Sequence, residues 1–143
     1  MLTDATPAGT DPLKTLLIRS KHIAVVGISA RPDRPSHGVA AYLQAHGYHI
    51  IPVNPREAGT SILGEHCFAS LTDASQHYSI DIVDCFRKSD DIPPVVDEAI
   101  AIGARCVWMQ SGIVHAVAAD KARQAGIEVY MDLCLKIEHM IRS

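Results

Sequence analysis

Five short apolar segments, separated by stretches of helical length, constrain this 143-residue chain more than any other feature. His22-Ile23-Ala24-Val25-Val26-Gly27, Tyr48 to Val53, Ile80 to Phe86, Arg105 to Met109 and Ile127 to Met131 read as strands. A strand that is apolar almost throughout is covered on both faces. Between these segments, helices are expected from Ser36 to about His46, from Ser89 or Asp90 to near Gly103, and from Val114 to Ala125; a last one runs from Cys134 to Ile141. Ser36 is the expected cap of the first, and Gly47 and Gly126 close the helices they follow with a left-handed residue. Pro93 and Pro94 fit only in a first helical turn. Strands that alternate with helices in this way pair in parallel through right-handed crossovers. The expected fold is therefore α/β: a doubly wound sheet of five mainly parallel strands with helices on both faces. Strand order 3-2-1-4-5 follows as the economical topology, with a ligand crevice above the carboxyl ends of strands 1 and 4.

A further helix precedes the sheet. Asp11-Pro12 supplies its cap and first residue, and Leu13, Leu16 and Leu17 form one apolar face. That face would pack either on the domain or on a second copy of the chain, which leaves a homodimer open. No repeat or composition shift divides the sequence, so one domain is expected over residues 1–143, with 1–10 as a flexible leader. Apolar residues at 48% and charged residues at 20% are a globular balance. Thirteen Lys and Arg stand against sixteen Asp and Glu, a net charge of −3. That balance argues against nucleic acid or an anionic membrane as a partner, and any anion site must be local. No apolar run approaches the roughly 18 residues of a membrane span, and the polar N-terminus lacks the order of a signal peptide. Four cysteines without a CxxC pair fit a reduced, cytoplasmic protein.

The informative stretch is Gly27-Ile28-Ser29-Ala30-Arg31-Pro32-Asp33-Arg34-Pro35-Ser36, which joins the first strand to its helix. Helix starts in this position bind anions on their free N–H groups. The stretch does not match GxGxxG, having Ser29 and Pro32 where that pattern has glycine, and it lacks the Gly-Lys-Ser/Thr of a P-loop. Instead, Gly27 allows a tight exit and a close ligand, Pro32 and Pro35 stiffen the loop, and Arg31 and Arg34 can fork onto phosphate. The Ser29 and Ser36 hydroxyls can donate as well. A stiff surface turn with solvated arginines would use the same residues. At the end of the second strand, where NAD binders place an acid for the ribose hydroxyls, this chain has Asn54-Pro55-Arg56. An arginine there suits a nucleotide with an extra ribose phosphate, such as NADP or coenzyme A. A plain Asn-Pro turn is the other reading.

Taken together, Gly27-x-Ser29-x-x-Pro32-x-Arg34-x-Ser36, Gly47-Tyr48, Pro52-Val53-Asn54-Pro55 and Asp84-x-Phe86-Arg87 resemble the small stand-alone CoA-binding proteins. These are similar to the Rossmann-like N-terminal domain of the succinyl-CoA synthetase alpha subunit. The resemblance continues through Ala99 to Ala104, Trp108-Met109-Gln110-Ser111-Gly112 and Asp132-Leu133-Cys134, and spans about Ile23 to Glu138. It implies that Gly27, Ser29, Arg31, Arg34 and Ser36 hold the diphosphate of coenzyme A. It also implies that Asn54, Pro55 and Arg56 meet the adenosine end and its 3′-phosphate. Phe86 and Arg87 would line the adenine or phosphate side, and Gln110 and Gly112 would face the pantetheine arm. The family commonly has Asp-Arg-Cys near its end, and Leu133 here removes that arginine and weakens the case for Cys134.

No catalytic constellation accompanies these residues. Cys134, placed near the mouth of the sheet, is the best nucleophile, since a helix start can lower a thiol pKa; a small apolar role is the alternative. Cys67, Cys85 and Cys106 read as core. The eight histidines show no metal-ligand spacing, Ser36-His37 lacks a nucleophile elbow, and Asp81 and Asp84 face opposite sides of a strand. Trp108 reads as packing rather than a stacking platform. The expected function is a module that binds coenzyme A or an acyl-CoA without catalysis of its own. The alternatives are a small NADP-dependent oxidoreductase, or the CoA-binding component of a ligase completed by a partner chain.

Overall fold

Asp11 accepts the amide of Leu13 at 3.0 Å, and Pro12 opens α1 (Pro12–Arg19). The computed structural model describes residues 11–143, so the leader expected over 1–10 lies outside the described residues. Leu13, Leu16 and Leu17 are buried in this chain's own core, which settles on the domain as their packing partner.

Five parallel strands follow: β1 (His22–Val26), β2 (His49–Val53), β5 (Ile82–Cys85), β6 (Cys106–Met109) and β7 (Glu128–Tyr130). Two more, β3 (Ser61–Ile62) and β4 (Glu65–His66), form a small antiparallel hairpin that the sequence reading had as loop. The helices are α2 (Pro35–Ala45), α3 (Leu71–Ser75), α4 (Ile92–Ala101), α5 (Ala116–Gln124) and α6 (Leu135–Arg142). A 3-10 turn over Ser89–Asp91 leads into α4. Alternate strand residues feed two cores. Ala24, Val26, Val83, Cys85, Val107 and Met109 pack with α3, α4 and α5. Ile23, Val25, Ile82, Cys106 and Trp108 pack with α1, α2 and α6. This is the doubly wound α/β arrangement expected, with the central strands β5 and β6 buried throughout as parallel sheets require.

The strand order differs from the expected one. The sheet runs β2-β1-β5-β6-β7, so the third strand pairs with β1 and not with β2. The cause lies at the outer edge of β2. There the Phe68 amide donates to Pro52 O at 3.0 Å and the Asn54 amide to Phe68 O at 2.9 Å, and Phe68 forms a parallel bridge with Val53. The carboxyl end of that edge is thus already engaged, and the third strand takes the other side of β1. In this order the winding reverses between β1 and β5, so the ligand crevice stands above those two strands rather than above strands 1 and 4.

Candidate functional site

Gly27 leaves β1 with φ +87° while its amide donates to Val53 O at 2.8 Å. The Phe86 amide donates to Val26 O at 2.9 Å, which brings the exit of β5 alongside. A Cβ on Gly27 would stand 2.6 Å from the Phe86 carbonyl oxygen, so only glycine fits this approach. The loop beyond is held by its own hydroxyls. The Ser29 amide donates to Ser36 Oγ at 2.9 Å, and the Arg31 amide donates to Ser29 Oγ at 3.1 Å. Ser36 is therefore not the cap of α2, as expected from sequence, but lies in its first turn. The capping position belongs to Arg34, extended at φ −85° and ψ 143°, and no side chain bonds the helix start. Ser36 is drawn inward because its hydroxyl closes the loop, and the positive end of α2 is left open.

Gly27, Ser29, Arg31, Arg34, Pro35, Ser36 and Phe86 line one open cleft of about 340 Å³ over this helix start. Six of the seven are expected site residues; Pro35 is the addition. The lining holds two arginines and two serines and no carboxylate, a donor set suited to phosphate. Arg31 pairs loosely with Asp33 at 3.4 Å, both of them exposed. The Arg87 side chain passes beside Gly27. Asn54 ties the next loop to this one, with Nδ2 donating to Ile28 O at 2.9 Å and Oδ1 accepting the Arg56 amide at 3.0 Å. Pro55 and Arg56 follow on the exposed surface.

Gln110, Gly112 and Cys134 form a second group, beyond the ends of β6 and β7. The Gly112 amide donates to Asp132 Oδ1 at 2.6 Å, and Trp108 Nε1 donates to Leu133 O at 2.8 Å. Trp108 is fully buried, in keeping with a packing role. The Leu135 amide donates to Gln110 Oε1 at 3.4 Å, which links the turn after β6 to the start of α6. Cys134 is the capping residue of α6 and half-buried, its side chain packed against the core and making no cap bond. Cys67, Cys85 and Cys106 are buried, and burial raises each thiol above its ordinary range.

For one residue, named from sequence only within the Asp84-x-Phe86-Arg87 motif and as no partner of Asp81, the structure adds a setting the sequence does not show. Asp84, in the middle of an apolar strand, is fully buried; its Oδ1 accepts Gln110 Nε2 at 2.6 Å and its Oδ2 has no partner. Loss of water raises this carboxyl to about 7, against the lowering effect of Gln110. The segment Ile80 to Phe86 shows two acids, Asp81 and Asp84, and only the structure separates the buried one from the one at the strand's start. A larger hollow of about 410 Å³ lies elsewhere, beside Phe68 between His66 and His77, and contains none of the expected residues.

The parallel doubly wound sheet thus carries, over its switch point, a helix start without a side-chain cap and with two arginines beside it. Residues 21–140 match the CoA binding domain family, and the chain belongs to that family. It is 43% identical over 129 residues to the uncharacterized protein YneT of Bacillus subtilis, covering 90% of this chain and 93% of that one. Among solved structures, a Thermus thermophilus protein superimposes with TM-score 0.88 at 39% identity, over 92% of this chain and 96% of that one. A hypothetical protein from Pyrococcus horikoshii OT3 follows at TM-score 0.85 and 34% identity, over 98% of each chain. No helix among the described residues is long and apolar enough to cross a membrane.

Proposed function

We propose that this protein binds coenzyme A or an acyl-CoA across the carboxyl ends of β1, β2, β5 and β6, as a binding module without catalysis of its own. The observation that carries the reading is the gathering of Gly27, Ser29, Arg31, Arg34, Ser36 and Phe86 around one cleft at an uncapped helix start. The diphosphate lies on the first turn of α2, where helix amides and the two arginines offset its charge. Each favourable charge at a helix start contributes about 0.3–1 kcal/mol when exposed, so the arginines are needed as well. Asn54, Pro55 and Arg56 meet the adenosine end, Arg56 pairing with the 3′-phosphate. Phe86 and Arg87 flank the adenine or diphosphate, and the pantetheine arm runs toward Gln110, Gly112 and Cys134. The hollow beside Phe68 is larger but contains Asp73 and no arginine, so it suits this anion less well.

Calorimetric titration with coenzyme A, dephospho-CoA and NADP tests the proposal. The expected result is binding of coenzyme A that weakens without the 3′-phosphate. Heat from NADP with none from coenzyme A at several temperatures would overturn it in favour of a small reductase.

A further inference from the structure

Among the described carboxylates Asp84 alone is buried, and it occupies a costly place. It lies one residue before the end of β5, opposite Val25 of β1 and Trp108 of β6, on the face shared with α2 and α6. Its exposure is 0%, and Oδ2 makes no hydrogen bond. Burying a carboxyl with one oxygen unpaired opposes folding, and an apolar residue of like volume in such a place is often neutral or stabilising. Stability therefore does not account for it. Its hydrogen bonds do. Oδ1 accepts Gln110 Nε2 at 2.6 Å, and the other end of that amide, Oε1, accepts the Leu135 amide at 3.4 Å. The Gln110 amide itself reaches back to Cys85 O at 3.4 Å. The chain of contacts runs from β5, through the first residue after β6, to the first residue of α6.

We infer that Asp84 is a positioning residue: through Gln110 it fixes the turn after β6 against the start of α6, and so shapes the surface that receives the pantetheine arm without touching the ligand. This rests on the reading of the site as one for coenzyme A. Asp84 also fixes which way round the Gln110 amide sits. The carboxylate oxygen takes the NH2 end, which leaves the carbonyl end for the Leu135 amide. Without that acceptor the amide is free to turn.

Two variants and two ligands test the inference. Asp84→Val removes the acceptor and puts a slightly larger apolar side chain in its place. Asp84→Asn keeps an oxygen for Gln110. Coenzyme A reports on the whole site, and adenosine 3′,5′-bisphosphate, which has no pantetheine, reports on the adenosine side alone. Thermal melting verifies that both variants are folded. Asp84→Val is expected to weaken coenzyme A about tenfold, the scale of one net hydrogen bond, with the bisphosphate unchanged. Asp84→Asn is expected to restore most of the lost affinity. The inference is overturned if Asp84→Val leaves coenzyme A binding intact, weakens both ligands equally, or matches Asp84→Asn. If the natural chain binds no coenzyme A, the site reading falls and takes this inference with it.

Discussion

At the scale of single residues, the same carboxyl makes a prediction about stability that needs no ligand. The Asp84 carboxyl is raised from its ordinary 3.8 to about 7 by burial. Below pH 3.8 it is neutral in both the folded and unfolded chain, and its ionisation imposes no penalty. Between 3.8 and about 7 the unfolded chain ionises while the folded chain keeps its proton, so stability falls as pH rises. Above about 7 both states are ionised and the penalty is complete. Asp84→Asn removes that dependence. Its advantage over the natural chain should grow with pH to a few kcal/mol above neutrality. Urea unfolding at acidic, neutral and alkaline pH measures this, and an advantage that is the same at all three would contradict it. Gly27, Ser29 and Ser36 were legible in the sequence because residue type and loop position carry their meaning. Asp84 was not, because its burial and its partner depend on which strand lies alongside. The wrong capping role for Ser36 has a similar origin: its hydroxyl bonds Ser29, seven residues back, and a sequence shows only that both are serines.

At the scale of elements, the strands and helices were legible from apolar runs and their stop signals, with ends displaced by a residue or two. The strand order was not. It goes with Phe68, whose backbone occupies the carboxyl end of the outer edge of β2. Nothing in local periodicity marks a single bridging residue, and the β3–β4 hairpin next to it is only two residues deep on each side. The consequence for the site is direct, since the order moves the crevice to β1 and β5, where Gly27 and Phe86 meet. Phe68→Pro tests the role of that edge. Proline cannot donate to Pro52 O, so that edge loses one of its two bonds while the Phe68 carbonyl can still accept the Asn54 amide. A loss of about 1–3 kcal/mol is expected from the orphaned carbonyl, together with self-association at high protein concentration. Urea unfolding and light scattering read the two effects; a variant as stable and as monodisperse as the natural chain would remove the edge from the explanation.

At the scale of the whole molecule, the proposed ligand is a polyanion while the protein is acidic. The net charge is −3, so the average field repels coenzyme A, and attraction depends on where the positive charge sits. Arg31 and Arg34 line the cleft over the start of α2, Arg87 passes beside Gly27, and Arg56 lies on the neighbouring loop tied to this one through Asn54. The rim arginines are exposed, so salt screens them; the helix amides act at contact distance and are screened less. Raising ionic strength from about 0.05 M to about 0.5 M shortens the screening length from more than 10 Å to about 4 Å. Affinity for coenzyme A should then fall severalfold and level off at a residual set by the amides and apolar contacts. Dephospho-CoA lacks the phosphate assigned to Arg56, so its affinity should fall less over the same range. Calorimetry on both ligands across the salt series makes the comparison. Equal slopes would remove Arg56 from the 3′-phosphate, and flat slopes for both would mean that the arginine rim does not hold the ligand.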